Sequence, residues 1–163
     1  MGGADEAGGA DGARGAPGAH GGGDADEAQG QGRPRADAAA QALPQGWSWR
    51  QVCGSEALCD GDEGVRFELA AQAEPLAAFV VRSEGVVRGY LNQCRHVPVE
   101  LDWQPGRFFD DTGLYLVCST HGAMYRASDG ACAGGPCRGQ GLIALQVVEA
   151  DGAVWVAVQD GKA

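Results

Sequence analysis

The chain has 163 residues, a formal net charge of −10, 28 glycines and 6 cysteines. That length holds one modest domain, and the acidic balance excludes a binder of phosphate backbones, which needs basic patches, so no nucleic-acid partner is expected. An acidic surface suits brief docking on a basic protein face, because electrostatic steering speeds encounter without demanding tight binding.

Residues 1–45 contain 12 glycines among many alanines, with Met1 and Leu43 the only larger aliphatic side chains. Such a segment cannot bury enough apolar surface to offset its chain entropy, so a disordered Gly/Ala-rich tail is predicted there. No continuous apolar stretch follows a basic start. The tail therefore reads as neither a secretory signal nor a membrane anchor, and a cytoplasmic protein without a membrane anchor is expected.

From residue 46 to 160 the pattern changes to short apolar or alternating runs between turn signals. Strands are predicted at Trp47–Val52, Val65–Leu69, Ala77–Arg82, Val86–Leu91, Leu114–Val117, Ile143–Glu149 and Ala153–Val158. The last two are joined by Ala150-Asp151-Gly152, and Asp-Gly between apolar runs is a strong hairpin signal. A short helix is expected at Gly54–Leu58 or near Val97–Leu101. Closely spaced strands with little helical periodicity imply an all-β fold, an antiparallel β-sandwich or small barrel.

Between the fourth and last strands lies the chemistry. Cys94 and His96 stand in Cys-Arg-His, and Cys118 and His121 in Cys-Ser-Thr-His. Each half supplies one soft thiolate and one imidazole, the inventory for a cluster in which one iron is held by two sulfurs and the other by two nitrogens. Two cysteines and two histidines also suit a tetrahedral zinc ion, although zinc motifs usually group like with like, whereas here each half is mixed.

The pattern resembles the Rieske [2Fe-2S] signature, Cys-x-His followed by Cys-x-x-His. The resemblance implies a β-sandwich base carrying a cluster-binding loop subdomain, here about residues 91–142, with one [2Fe-2S] cluster per chain. Cys94 and Cys118 would hold one iron, and His96 and His121 the other. Gly122, Ala123 and Tyr125 fall where the family places small and aromatic residues after the second histidine. Pro136, in Gly130-Ala131-Cys132-Ala133-Gly134-Gly135-Pro136-Cys137, falls in what looks like the Gly-Pro loop covering the cluster. The 21 residues between His96 and Cys118 exceed the family's commonest spacing. The surplus lies in the turn-like Asp102–Arg107 and Asp110–Gly113, where loops absorb added length at small entropic cost. Trp103 sits in the first of these.

Respiratory members usually carry two further cysteines that tie the ligand loops together; the corresponding positions here are Val99 and Thr120. They also commonly have a serine two residues after the second histidine, and here Ala123 offers no donor. Fewer donors to cluster sulfur destabilise the electron-rich reduced form, so a potential below the respiratory proteins is expected. The likeness is to the soluble, ferredoxin-type branch. It implies a one-electron carrier, not an enzyme on its own, that serves redox protein partners, a reductase and an oxygenase or other oxidoreductase. The reading from a different class is a non-redox zinc-binding module, or a cluster-based sensor, built on the same four residues.

Four cysteines remain. Cys132 and Cys137 flank Ala133-Gly134-Gly135-Pro136 and either bridge or simply pack beside the site, while Cys53 and Cys59 have no assigned role.

Overall fold

The structure, a computed structural model, describes residues 43–71 and 74–160. The predicted tail lies outside the described residues except at its end, where Leu43 packs against a cluster containing Trp49 and Trp155. Ten strands follow in chain order: β1 (Trp47–Gly54), β2 (Val65–Leu69), β3 (Leu76–Ser83), β4 (Val86–Leu91), β5 (Tyr115–Val117), β6 (Met124–Arg126), β7 (Cys132–Gly134), β8 (Ala144–Leu145), β9 (Val147–Ala150) and β10 (Ala153–Gln159). They form three open antiparallel sheets, ordered β1-β10-β9, β2-β3-β4-β8 and β5-β6-β7. The sandwich reading is the right one; no sheet among the described residues closes into a barrel.

Apolar alternation explains the stacking. In β10, Val154 and Val156 face a cluster shared with Val80, Val87 and Leu58, while Ala153, Trp155 and Ala157 turn the other way, toward Trp49. In β3 both faces are covered. Val80 points into the cluster with β10, whereas Phe79 and Val81 point into a second core with Tyr90, Leu101, Phe108, Leu116 and Tyr125. A strand buried on both sides reads as the continuous apolar run Ala77-Ala78-Phe79-Val80-Val81. The β2-β3-β4-β8 sheet is thus the middle layer, with the β5-β6-β7 unit packed on its far face. Phe79 and Phe108 stack at 3.8 Å between ring centroids and join the two; each such side chain contributes about 1.5–3 kcal/mol by burial alone.

Two hairpins use the expected turn chemistry. Asp151 (φ 54°) and Gly152 (φ 74°) join β9 to β10, and Glu84 (φ 55°) and Gly85 (φ 74°) join β3 to β4, both with the paired positive φ of a tight two-residue turn.

Three expectations need correction. The run Ile143–Glu149 is two strands rather than one: β8 pairs with β4 and β9 with β10, so the chain changes sheets at Gln146, whose carbonyl accepts from the Ala157 N–H at 3.0 Å. The segment near Val97–Leu101 is a bent loop rather than a helix, its backbone bonding spent otherwise: the Cys94 N–H reaches across to the Val99 carbonyl at 2.8 Å and the Val99 N–H to the Val97 carbonyl at 2.7 Å. At Gly54–Leu58 there is only a single 3-10 turn, Ser55–Ala57. Strands β6 and β7, three residues each, were not expected. Among the described residues no helix is long and apolar enough to cross a membrane.

Candidate metal centre

Two loops and a cover meet at one end of the β5-β6-β7 unit. The first loop leaves β4 and carries Cys94 and His96. Its base is closed by the buried pair Asn92 and Asp102: Asn92 Nδ2 donates to Asp102 Oδ1 at 2.8 Å, and Asn92 Oδ1 accepts from the Leu101 N–H at 2.8 Å. Asp102 also accepts from the Gly106 N–H at 2.9 Å, which folds the added Asp102–Arg107 segment into a tight turn and leaves Trp103 87% exposed at its tip. Neither Asn92 nor Asp102 stood out in the sequence, because an Asn and an Asp in a loop are usually solvated.

The second loop links β5 to β6. Its turn is closed by Cys118 N–H to the Ala123 carbonyl and Gly122 N–H to the Cys118 carbonyl, both 2.9 Å. The Ser119 N–H and hydroxyl each donate to the Leu101 carbonyl at 2.8 Å, tying the two loops together without a covalent bond. Val99 and Thr120 leave no disulfide possible between them.

The four predicted donors come together as two pairs, thiol with thiol and imidazole with imidazole. Cys94 is 3% and Cys118 1% exposed, with their thiols in mutual contact, while His96 and His121 are exposed and meet edge to face with ring centroids 5.1 Å apart. Sulfur lies inside and nitrogen outside. Tyr125, fully buried, places its hydroxyl 3.3 Å from Cys94 Sγ. That oxygen also accepts from the Arg95 N–H at 3.0 Å, and with Cys94 as a thiolate, which has no proton to give, the hydroxyl is the donor to sulfur. Burial and the Cys94 bond push the Tyr125 pKa up to about 12, so it stays a donor at neutral pH.

The surroundings act on the two thiols in opposite directions. Burial opposes charge on Cys94, yet bonds from Tyr125 and from the backbone N–H groups of His96 and Val97 outweigh it and bring its pKa below the ordinary thiol value. Cys118 is raised by burial and by the Cys94 charge, against help from the Thr120 and His121 N–H groups. Backbone donors around both sulfurs are what a thiolate-ligated centre requires, since they hold negative sulfur where water is excluded. Two buried thiols with such donors and two exposed imidazoles fit a [2Fe-2S] cluster with mixed ligation.

The remaining predicted neighbours occupy the surround. Ala123 is fully buried and presents only a methyl group, and Gly122 is exposed with φ 69°. Pro136 lies in the 3-10 turn Gly135–Cys137, at the end of the cover. The open question of the paired cysteines is resolved: Cys132 and Cys137 are disulfide-bonded, Cα atoms 6.0 Å apart.

The model of the Rieske [2Fe-2S] domain matches residues 48–157. The chain belongs to that family. Its cofactor is accordingly a [2Fe-2S] cluster, and the Rieske chain shares its fold with solved structures of two kinds. One is the terminal oxygenase of carbazole 1,9a-dioxygenase from Nocardioides aromaticivorans IC177, at 21% identity and a TM-score of 0.55, covering 70% of this chain and 31% of that one. The others are small: the Sphingomonas yanoikuyae B1 ferredoxin, at 24% identity and a TM-score of 0.50, covers 68% of this chain and 97% of its own. A chain in the complex of reduced oxygenase and oxidised ferredoxin in carbazole 1,9a-dioxygenase, at 21% identity and a TM-score of 0.53, covers 74% and 100%. The present chain therefore spans about a third of the oxygenase it matches. No curated protein sequence matches it.

Proposed function

We propose that this protein is a ferredoxin-like one-electron carrier, with Cys94 and Cys118 as the thiolate ligands and His96 and His121 as the imidazole ligands of its cluster, passing electrons between a reductase and an oxygenase or other oxidoreductase. The observation that carries the reading is the split of the four donors, two thiols sealed in the core and two imidazoles side by side at the surface. When bound, the cluster supplies one-electron chemistry; the chain supplies ligands, insulation and a docking face.

The exposed edges of His96 and His121 are the natural exit for an electron, since transfer needs a short path to a partner. Beside His96 in the same loop Val97 and Val99, each 37% exposed, offer apolar contact. An interface of that kind is small and transient. The acidic balance, with fifteen acids against nine bases beyond the tail, favours partners that present a basic face. The small ferredoxins that share the fold match over nearly their whole length, and one was solved in complex with an oxygenase, which supports the same assignment.

Low-temperature EPR on anaerobically purified, dithionite-reduced protein tests this, with iron and acid-labile sulfide measured on the same sample. A Rieske-type signal with about two irons and two sulfides per chain is expected. Stoichiometric zinc in a silent sample would make this a binding module instead. Partner choice is tested by following reduction of the oxidised protein by a purified reductase and re-oxidation of the reduced protein by a purified oxygenase component, each at two salt concentrations; a basic partner gives a rate that falls as salt rises.

A further inference from the structure

The disulfide between Cys132 and Cys137 takes no part in the ligand assignment, yet both of its ends lie against the site. Cys132 belongs to β7 and stands opposite Tyr125 in the β6–β7 pairing, and Tyr125 is the residue whose hydroxyl meets Cys94 Sγ. Cys137 is 1% exposed and packs in the same buried cluster as Cys94, Cys118, Ala123 and Tyr125. Between the two sulfurs runs the cover, Ala133-Gly134-Gly135-Pro136. Gly135 has φ 75°, and a Cβ there would lie 2.5 Å from the Gly122 carbonyl oxygen and 3.1 Å from Ala123 Cα. The cover thus rests on the backbone of the second ligand loop with no clearance, and the bridge fixes its shape. The two residues differ in exposure: Cys132 is half-buried, packed on the edge of the core, and Cys137 is buried within it.

We propose that Cys132–Cys137 is a thiol–disulfide exchange site that latches the cover over the metal centre, opened by a dithiol reductant and closed on re-oxidation. The inference rests on the assignment of Cys94, His96, Cys118 and His121 as ligands. A thiolate of the reductant attacks the Sγ of Cys132, the less buried of the two residues; the Sγ–Sγ bond breaks and its electron pair leaves on Cys137 Sγ, which takes up a proton. The second thiol of the reductant then attacks the mixed disulfide. Cys132 is released as a thiol, and two electrons and two protons have passed from the reductant, which departs as its own disulfide. Cys137 stays a neutral thiol, since burial in apolar surroundings disfavours thiolate.

Opening the latch removes the loop closure that presses Gly135 onto Gly122 and holds β7 beside Tyr125. Solvent access and the Tyr125–Cys94 bond change together, and both set how readily the centre takes an electron. In a compartment that keeps thiols reduced, such a bridge is a responsive element rather than a permanent staple.

The test uses the full-length holoprotein, equilibrated anaerobically with graded ratios of reduced to oxidised dithiothreitol and then alkylated. Mass spectrometry reads the labelling of the peptides carrying Cys132 and Cys137. Visible circular dichroism and voltammetry read the cluster, and amide exchange reads residues 121–126. The expected result is that Cys132 and Cys137 become labelled together and reversibly. Amide exchange over 121–126 accelerates roughly tenfold, the order expected for releasing a short loop closure, and the midpoint potential shifts. The Cys132→Ser/Cys137→Ser double variant should match the open state and no longer respond to dithiothreitol. Both cysteines labelling without reductant and never re-forming a bridge overturns the proposal, as does a bridge that opens with potential, dichroism and exchange all unmoved. Failure of the ligand assignment is seen separately, as missing iron and sulfide, while labelling and exchange still report on the latch.

Discussion

The Tyr125 hydroxyl oxygen accepts the Arg95 N–H at 3.0 Å and lies 3.3 Å from Cys94 Sγ, so a single buried phenol is fixed by the residue between Cys94 and His96 and set against the Cys94 sulfur. Its hydrogen bond favours negative charge on sulfur, and added charge is what reduction brings. Tyr125→Phe keeps the ring in its pocket and removes only that bond. With about 1 kcal/mol of differential stabilisation lost, the midpoint potential should fall by ~40 mV for a one-electron couple. Voltammetry on the two proteins decides it; an unchanged or higher potential in the variant would show that the bond does not bear on the redox centre.

Cys94→Ser and Cys118→Ser should each largely abolish cluster assembly, because a hydroxyl is a poor substitute for thiolate at iron. His96→Cys or His121→Cys, where a cluster still forms, should lower the potential, since thiolate donates more charge to the oxidised iron. Iron and sulfide content and visible spectra are the readouts, and normal spectra in both serine variants would rule out this ligand set.

The Phe79–Phe108 stack at 3.8 Å joins the middle sheet to the unit bearing the site. Phe79→Ala should cost about 3–5 kcal/mol in global stability, from lost burial and the cavity left behind. A double-mutant cycle with Phe108→Ala should return a coupling of about 0.5–1.5 kcal/mol. Chemical denaturation of the four proteins measures both, and additive losses would mean that the stacking itself contributes nothing beyond area.

Arg82 fastens the β1–β2 connection to β9. Its Nε donates to the Leu58 carbonyl at 3.0 Å and its Nη2 to Glu149 Oε1 at 2.7 Å. The Arg82 hydrogen bond holds the Glu149 carboxyl below the usual carboxylate range, against the opposing effect of burial. A depressed folded pKa means that this stabilisation is present above the ordinary value near ~4.3 and is lost as pH falls through the lower folded value. The pair is partly exposed, so the effect is at most about 1 kcal/mol. Melting of wild type and Glu149→Gln should differ at pH 7 and converge in acid; a gap that persists unchanged in strong acid would assign the difference to packing.

The pairing of Cys94 with Cys118 and of His96 with His121 was legible because each motif sets a Cys and a His at fixed short spacing, and the long strands were legible because β3 and β10 write their burial as apolar runs, the first followed by Glu84-Gly85 and the second preceded by Asp151-Gly152. What escaped has physical reasons. Three-residue strands such as Met124–Arg126 and Cys132–Gly134 are too short to carry a period, and their pairing is imposed by tertiary contact. The change of sheet at Gln146 leaves no mark in an apolar run. Asn92 and Asp102 look like surface polar residues, and only their mutual bond and the backbone groups they satisfy explain their burial. The geometry of a six-residue cysteine ring depends on how Gly134 and Gly135 turn, which sequence spacing alone does not specify.

Since β3 is wrapped on one face by Val154 and Val156 and on the other by Phe108 and Tyr125, its amides have no private route to solvent. Hydrogen exchange there can proceed only when the base and the loop-bearing unit come apart together. Any cofactor that grips the loops from Cys94 to His121 therefore slows exchange in a strand it never touches, and loss of metal should register even there, as faster deuterium uptake at Phe79 and Val80.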